Sequence, residues 1–254
     1  MMRTSALLLL LSMATPGEAE ERPERRFGLP PGRTLERSSY IVVWNGRTRC
    51  PDVVAEYLTI GRLVGTAKRD GLSFRSDPEI PREFRPVLAA YSNSGFDFGH
   101  LAPAANHKRT AEELAETFLI TNACPQLHAL NAGPWLQLEG FARYELADNP
   151  TVNELWIYSG PAWWAPPGET LQIQRIDQVW VPTHFWKVLI TDAKAAWAWL
   201  LPADASGAAD PNRYAVSINT IETVTGLDLL DALPDDEEDR LEAQLHYQPD
   251  GKKR

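Results

Sequence analysis

Cysteine is scarce in this sequence, with only Cys50 and Cys124 among 254 residues. The two do not form a CxxC pair, and two isolated cysteines are a poor zinc signature, so the sequence argues against a structural zinc site. In an oxidising compartment the two thiols can pair, but their spacing does not decide whether they do. We therefore interpret both cysteines as structural and leave their pairing open.

Basic residues are also in the minority, with 25 Lys and Arg against 34 Asp and Glu and a formal net charge of −9. This balance argues against a protein that holds nucleic acid by charge alone. Residues 235–242, however, contain six acidic residues and Arg240, a net of −5 that is over half of the total. A metal-assisted enzyme can still act on a polyanion, although its binding would be weak and salt-sensitive.

Long apolar runs are lacking, and the one notable apolar stretch lies at the N-terminus. Arg3 is followed by apolar residues over 5–13 and by the small residues Gly17 and Ala19, the pattern of an export signal. About nine apolar residues cannot cross a hydrocarbon core of roughly 30 Å, so an uncleaved anchor is the weaker interpretation. We predict a signal peptide at 1–19, a secreted or periplasmic protein, and no stable membrane association after cleavage.

Neither an internal repeat nor a long low-complexity segment interrupts the chain. With 44% hydrophobic residues, the sequence can form a substantial core, which favours one folded domain over 40–230. The preceding segment, 20–39, is charged and contains three prolines, so we predict a linker. The segment 231–254 is predicted to be an acidic C-terminal tail.

Short apolar or alternating runs dominate the domain and indicate β-strands. They cover 40–44, 53–60, 118–120, 155–159, 171–181, 184–190, 195–201 and 214–218. One helix is predicted to begin at Thr110, where Glu113 completes a capping box, another near Asn131, and a third to end at Gly226. Helical crossovers do not separate the strands regularly. We therefore expect an α+β fold with a mixed, mostly antiparallel sheet and flanking helices.

The first candidate for a catalytic residue is His100. It follows Gly99 at a predicted strand end, and Pro103 stops regular structure soon after. Glycine allows a sharp bend that would expose the imidazole, whose neutral form can take a proton from water as a general base. Taken alone, such a histidine is more often a buried or capping residue.

Three further polar residues are spaced so that they can share a site with His100. Asn122 follows the apolar run 118–120, and Asn131 opens a predicted helix that also carries Glu139. At ~100° per residue, Glu139 lies about 80° around the helix from Asn131, so both can face one pocket. An amide oxygen beside a carboxylate suits a hard cation such as Mg²⁺, with Mn²⁺ as an alternative. In isolation, a capping Asn and a solvated Glu would explain the pair equally well.

Together these segments resemble the sugar-non-specific DNA/RNA endonucleases, the ββα-metal family that includes secreted bacterial nucleases and endonuclease G. The resemblance rests on the run FDFGHLAPA at 96–104, Thr121 and Asn122 with Pro125 and Gln126, Asn131 with Trp135, and Leu138 with Glu139. Further matching segments lie at 159–161, 181–188 and 221–227, so the resemblance covers about 40–230. It implies a Mg²⁺-dependent endonuclease that cleaves DNA and RNA to 5′-phosphate products with little sequence preference. Some relatives form homodimers.

The resemblance also implies a role for each candidate residue. His100 would be the general base that activates water, and Asn131 would be the protein ligand of one Mg²⁺. Glu139 would hold a water of that ion, and Asn122 would support the same network.

One position departs from the family pattern Asp-Arg-Gly-His, because Phe98 stands where the arginine belongs. We therefore expect reduced or altered activity, and we expect Phe98→Arg to raise turnover on duplex DNA. An arginine of the upstream loop is implied to contact phosphate; Arg69 is the predicted residue and Arg75 its rival. Two alternatives stay open: a catalytically silent nucleic-acid-binding relative, and a phosphodiesterase acting on a smaller substrate.

Overall fold

The computed structural model describes residues 22–206 and 210–245. The predicted signal peptide at 1–19 lies outside the described residues, so it stays a prediction. Among the residues described, no helix is both long enough and apolar enough to cross a membrane.

Most strands of the described chain belong to one large antiparallel sheet. The strands are β1 (Arg33–Glu36), β2 (Tyr40–Asn45), β3 (Cys50–Thr59), β4 (Phe96–His100), β5 (Ala123–Leu127), β6 (Glu154–Ala162), β7 (Arg175–Ile176), β8 (Val179–Trp180), β9 (His184–Thr191), β10 (Ala196–Pro202) and β11 (Ala215–Val216). The order in the large sheet is β1-β2-β3-β6-β9-β10-β11, while β4 pairs with β5 and β7 with β8. The expected α+β class with an antiparallel sheet is confirmed.

Short helices connect and flank these strands. They are α1 (Ile60–Leu63), α2 (Ala111–Glu116), α3 (His128–Leu130), α4 (Leu136–Asp148), α5 (Ile218–Thr225) and α6 (Asp235–Glu242), with a π-type turn (Asn131–Trp135) between α3 and α4. As predicted, Thr110 caps α2, because its Oγ1 accepts a hydrogen bond of 3.1 Å from the N–H of Glu113. Gly226 ends α5 at a φ of +73°, the left-handed conformation that favours glycine.

The large sheet is covered by apolar side chains on both faces. We call one the site face, which carries Val54 and Ile157 and packs against α4 and the β4–β5 pair. The other is the far face, which carries Val53 and Trp156 and packs against α5 and α6. Alternation along each strand sends successive residues to opposite faces, so the sheet forms the middle layer of the domain.

Two segments that the sequence assigns to a linker and a tail take part in the fold. Within 20–39, β1 pairs with β2 and buries Leu35. Within 231–254, α6 buries Leu241 against the far face. The structure differs from the predicted boundaries because so short a strand or helix, with one deeply buried apolar residue, leaves almost no periodic signal in the sequence.

Of the strands predicted from the sequence, one is shorter in the structure and another is not formed. Within 171–181 only β7 and β8 are extended, and Asp177, at a φ of +53°, lies in the turn between them. At 118–120 the chain forms an isolated bridge between Leu119 and Arg75 and then a 3₁₀ turn, Ile120–Asn122. Phe118 and Leu119 are buried, so the apolar run indicates burial without specifying a strand.

Both cysteines lie inside the site-face cluster. Cys50 on β3 and Cys124 on β5 are fully buried and are free thiols in this structure. Burial raises the pKa of the Cys124 thiol, and a hydrogen bond with Cys50 adds to that rise. Their surroundings agree with a structural role, and oxidative pairing stays open.

Candidate active site

His100 is the last residue of β4, and the helical segment that follows β5 fixes its backbone. Its carbonyl oxygen accepts a hydrogen bond of 3.0 Å from the indole Nε1 of Trp135. The preceding glycine packs against a side chain of β5. A Cβ on Gly99 would lie 2.4 Å from Oε1 and 2.5 Å from Cβ of Gln126. Close packing, and not the sharp bend expected from the sequence, therefore requires glycine before His100.

The imidazole of His100 lies among aromatic rings. The ring centroids of Phe74 and Phe118 are 4.6 Å and 5.2 Å from that of His100. Nε2 is buried and has no hydrogen-bond partner among the described residues. Burial, assisted by the charges of Arg69 and His107, lowers the pKa of His100 to about 3. The imidazole is therefore neutral near pH 7, with a ring nitrogen free to accept a proton.

Asn131 begins the π-type turn and does not open one continuous helix. Gly133 breaks the helical path with φ −111° and ψ −117°, and Pro134 follows at this break, where its missing N–H is tolerated. Nδ2 of Asn131 donates to Oδ2 of Asp97 at 2.9 Å, and Nδ1 of His128 shares that oxygen at 2.8 Å. No described group donates to Oδ1 of Asn131, so this oxygen is available as a ligand.

Glu139 lies in the first turn of α4, within electrostatic reach of the site face. Burial raises the pKa of Glu139 to about 7. The positive charges of Lys187 and Arg143 oppose that rise, and the charge of Glu56 adds to it. No hydrogen bond from a described residue occupies the Glu139 carboxylate, which is therefore open to water or an ion.

Asn122 serves the backbone directly after His100. The side chain is fully buried, and its Oδ1 accepts from the N–H of Ala102 at 2.9 Å. Its Nδ2 donates to the carbonyl oxygens of Ala102 and Thr117 at 2.8 Å and 3.0 Å. With these atoms engaged, Asn122 supports the strand end that carries His100 and has no free group to offer a ligand.

Of the two candidate arginines, the structure places Arg69 beside His100. The guanidinium carbon of Arg69 lies 5.0 Å from the centroid of Phe118, the ring that packs edge-on against His100. Arg75 instead donates from Nη1 to the carbonyl oxygen of Ala115 at 2.5 Å and pairs with the backbone near Leu119. The geometry therefore places Arg69 rather than Arg75 over the rings beside His100, and the contact of Arg69 with phosphate stays a prediction.

The described residues contain no group of three or more His, Cys, Asp and Glu side chains arranged to hold a metal ion. A cation at Asn131 would therefore have few protein ligands and keep several waters. Mg²⁺ commonly binds in this way, because it gives up its water shell reluctantly.

A family model for DNA/RNA non-specific endonucleases matches residues 20–236, which include β4, β5 and α4. The chain belongs to the DNA/RNA non-specific endonuclease family. It is accordingly a nucleic-acid-hydrolysing enzyme. The resemblance identified from the residues at 96–139 is confirmed.

Individual members of the DNA/RNA non-specific endonuclease family match over most of the chain. The mitochondrial nuclease EXOG of Danio rerio is 34% identical over 232 residues, covering 85% of this chain and 67% of that protein. The mitochondrial endonuclease G of Homo sapiens is 34% identical over 215 residues, covering 80% and 71%. Nuclease C1 of Cunninghamella echinulata var. echinulata is 34% identical over 212 residues, covering 78% and 83%. In a crystal structure of an EndoG/EndoGI complex, the matching chain shares the fold, with a TM-score of 0.76 at 24% identity over 84% of this chain and 92% of that one.

Against the family pattern, a stacked ring occupies the position of the expected arginine. Phe98 lies 4.0 Å from Tyr91 and 4.7 Å from Phe74, centroid to centroid, with 18° between the planes in both pairs. Phe74 in turn contacts His100. Stacked aromatic rings beside His100 thus stand where the family has a charged arginine. The positive charge of Arg69 acts on the His100 imidazole.

Sequence reasoning missed three charged residues near this family site. Arg143 lies one helical turn after Glu139, so the i, i+4 spacing on α4 was a usable signal. Its Nη1 donates to Oδ1 of Asn106 at 3.0 Å. Glu56 and Lys187 are buried on central strands of the sheet, where no local pattern marks them.

Proposed function

We propose that this endonuclease is Mg²⁺-dependent, uses His100 as its general base and releases products with 5′ phosphates. The observation that supports the proposal is a neutral His100 whose ring nitrogens have no hydrogen-bond partner among the described residues. A buried polar atom without a partner costs free energy, so it is retained where a ligand or water completes it. Oδ1 of Asn131, at the start of the helical segment that Trp135 ties to His100, likewise has no donor among the described residues.

The proton transfer follows from the position of His100. A water hydrogen-bonded to the solvent-facing ring nitrogen would give its proton to that nitrogen while its oxygen attacks phosphorus in line. Phe74 and Phe118 restrict the orientation of the ring, and Trp135 holds its backbone. The low pKa of His100 keeps the ring unprotonated between turnovers, although it also makes the imidazole a weaker base.

The oxygen donors present fit a hard divalent cation. Asn131 would hold the ion through Oδ1, because the bond from Nδ2 to Asp97 fixes the amide with this oxygen free. When bound, Mg²⁺ would polarise a phosphoryl oxygen and stabilise the leaving 3′ oxygen. Glu139 would orient water beside the ion. Mn²⁺ would suit the same oxygen donors.

We propose that substrate recognition depends on phosphate. Arg69 would contact the nucleic-acid backbone next to His100, because its guanidinium lies over Phe118, the ring that packs against His100. Asn122 would keep the backbone after His100 in place without touching substrate. Contacts of this kind carry no sequence information, so cleavage should show little base preference on DNA or RNA.

Nicking of a supercoiled plasmid tests this proposal. We expect cleavage in Mg²⁺ that stops on addition of a chelator, and a rate about 10³-fold lower for His100→Ala. His184→Ala is the matched control, because His184 packs against Trp164 and not against the rings around His100. End-group analysis should find phosphate at the 5′ ends.

The same assay addresses the two alternatives that the sequence leaves open. If wild type and His100→Ala are equally inert in Mg²⁺ and in Mn²⁺, the chain is a silent nucleic-acid-binding relative, which the loss of an arginine at Phe98 would explain. If a small phosphodiester is hydrolysed and the plasmid is not, the phosphodiesterase alternative holds.

We also propose that the protein is exported, on the basis of the signal pattern at 1–19. Two relatives carry the description mitochondrial, which makes an organelle the competing location. Secretion with an N-terminus at Glu20 would support export, and retention of Met1 in a cell-associated protein would contradict it.

Homodimer formation is a further proposal, which light scattering of the purified protein tests directly.

A further inference from the structure

Three buried polar residues interrupt the apolar site face of the large sheet. They are Glu56 on β3, Ser159 on β6 and Lys187 on β9, each at most 1% exposed. Ser159 and Lys187 are direct cross-strand partners, and Nζ of Lys187 donates to Oγ of Ser159 at 2.5 Å. Burying a charge is costly unless it is balanced, so the surroundings of Lys187 must supply that balance.

The ammonium of Lys187 also supports the indole that holds the catalytic strand. Nζ lies 4.3 Å from the centroid of Trp135, a cation–π distance. The indole Nε1 of Trp135 donates to the carbonyl oxygen of His100 at 3.0 Å. Lys187 is thus connected to the backbone of His100 through one side chain.

Charges from α4 and β3 surround Lys187. Glu139 and Arg143 on α4 and Glu56 on β3 all act on it, so the cluster holds two carboxylates and two cations. Burial lowers the pKa of Lys187, and the charges of Glu56 and Glu139 oppose that fall. Without the ammonium, Arg143 would be the cation left in this cluster beside the buried Glu56 and the half-buried Glu139.

The Glu56 carboxylate is held on one side only. Its Oε2 accepts hydrogen bonds from Nδ2 of Asn106 at 2.8 Å and from Nε2 of His107 at 2.9 Å. Nδ1 of His107 is in turn hydrogen-bonded to Oγ of Ser39 at 2.7 Å. Oε1 of Glu56 is buried without a hydrogen-bond partner among the described residues. The negative charge on this oxygen must therefore be balanced by a nearby positive charge such as that of Lys187.

We propose that Lys187 is a positioning residue of the nuclease centre. Its buried ammonium balances Glu56 and Glu139 and supports Trp135, which fixes the strand end of His100. The inference rests on the proposed function, in which His100 and Glu139 act on water and phosphate. Lys187 itself touches no substrate.

Thermal unfolding without metal or substrate tests the charge balance. Lys187→Met keeps the length of the side chain and removes the charge. We expect it to lower the Tm by about 4 °C more at about pH 8 than at about pH 5.5, because Glu139, whose pKa burial raises to about 7, is protonated at the lower pH. Adding Glu139→Gln should recover much of the loss at the higher pH. Equal losses at both pH values, or strictly additive effects of the two substitutions, would overturn the proposal.

Kinetics test the positioning role. For Lys187→Met we expect kcat to fall about tenfold while KM changes less than about twofold, because ground-state binding does not involve this residue. Lys187→Arg should recover part of kcat, and Lys194→Met should match wild type, since Lys194 pairs with Glu237 at the surface. A kcat within about twofold of wild type for Lys187→Met would contradict the role.

Ser159→Ala keeps the experiment decisive if Lys187→Met does not fold. It retains the charge and removes the Oγ acceptor of the Nζ hydrogen bond, so we expect a smaller loss of about threefold in kcat. An unchanged kcat for Ser159→Ala would then overturn the proposal. If wild type shows no metal-dependent cleavage, the proposed function fails, whereas the pH-dependent coupling between Lys187 and Glu139 is still measured.

Discussion

Successive residues of β6 and β9 point to opposite faces of one sheet, and the two buried faces differ in chemistry. On the far face, Trp156, Trp186 and Val188 pack against apolar side chains of the terminal segments. On the site face, Ser159 and Lys187 lie at the same depth and carry a hydroxyl and a charge. The comparison teaches that the strands themselves carry a buried charge where the helix of Glu139 covers the sheet, whereas on the far face charged groups such as Glu242 come from the segments that cover it.

Two tryptophans make the comparison closely matched. Trp135, under the site, and Trp186, on the far face, are both fully buried, and each donates from Nε1 to a backbone carbonyl oxygen. The acceptor is His100 for Trp135, at 3.0 Å, and Pro161 for Trp186, at 3.1 Å. With His100 as the proposed base, equal burial and equal hydrogen bonding would therefore serve catalysis in Trp135 and folding in Trp186.

Trp→Phe substitutions at these two positions should separate the faces. Both should lower the free energy of unfolding by about 1–2 kcal/mol, because each removes one buried hydrogen bond and some packing. Trp135→Phe should also lower kcat about tenfold, since the backbone of His100 loses its anchor. Denaturant unfolding and plasmid cleavage measure the two effects. Comparable kcat losses in Trp135→Phe and Trp186→Phe would remove the distinction between the faces.

Phe98→Arg compares a charged with an aromatic side chain at one position of the site. We expect turnover on duplex DNA to rise about fivefold, because a charged contact to phosphate is worth roughly 1 kcal/mol. The stack with Tyr91 and Phe74 would be broken, at a loss of about 1 kcal/mol in stability. Phe98→Leu is the control: it should lose similar stability without any rise in turnover. Unchanged or lower turnover in Phe98→Arg would show that Phe98 does not replace a phosphate contact.

The far face should respond to pH through its own carboxylates. Burial, with repulsion from Glu222 and Glu238, raises the pKa of Glu242 to about 7 from 4.5. A raised carboxyl pKa favours the protonated folded state, so this stabilisation is complete below about pH 4.5 and lost as pH rises through about 7. Glu242→Gln should therefore be more stable than wild type by about 1 kcal/mol at pH 8, after allowance for solvent screening, and no more stable at pH 4.5.

Thermal unfolding at the two pH values measures this difference. Glu169→Gln, which changes an exposed glutamate in a loop, serves as the control and should show no pH-dependent change. An equal effect of Glu242→Gln at both pH values would mean that Glu242 is not destabilising when ionised.

Features with a local signal were predicted from the sequence, and features that depend on distant pairing were not. Thr110 and Gly226 act within one helical turn, so their capping roles were correct. The sequence also brought His100 and Asn131 together, but only because the ordered motifs resemble a family. Taken alone, neither residue indicated catalysis more strongly than it indicated an ordinary structural role.

The missed residues depend on the order of strands. Lys187 meets Ser159 and lies near Glu56 only after β3, β6 and β9 align in the sheet. No window of sequence contains all three residues, so neither their burial nor their charge balance can be read locally. The choice between Arg69 and Arg75 had the same limitation, because it depends on which arginine packs over Phe118.

The kink at Gly133 has a consequence for how the enzyme meets its ligands. On either side of it, Asn131 and Trp135 each form a hydrogen bond to β4, one to the carboxylate of Asp97 and one to the carbonyl of His100. The spacing between His100 and Asn131, the proposed base and the proposed ion ligand, is therefore set before any ligand arrives. Such preorganisation means that little conformational entropy remains to be lost when an ion and a phosphate bind, so the observed affinity should reflect their contacts more than the ordering of the chain.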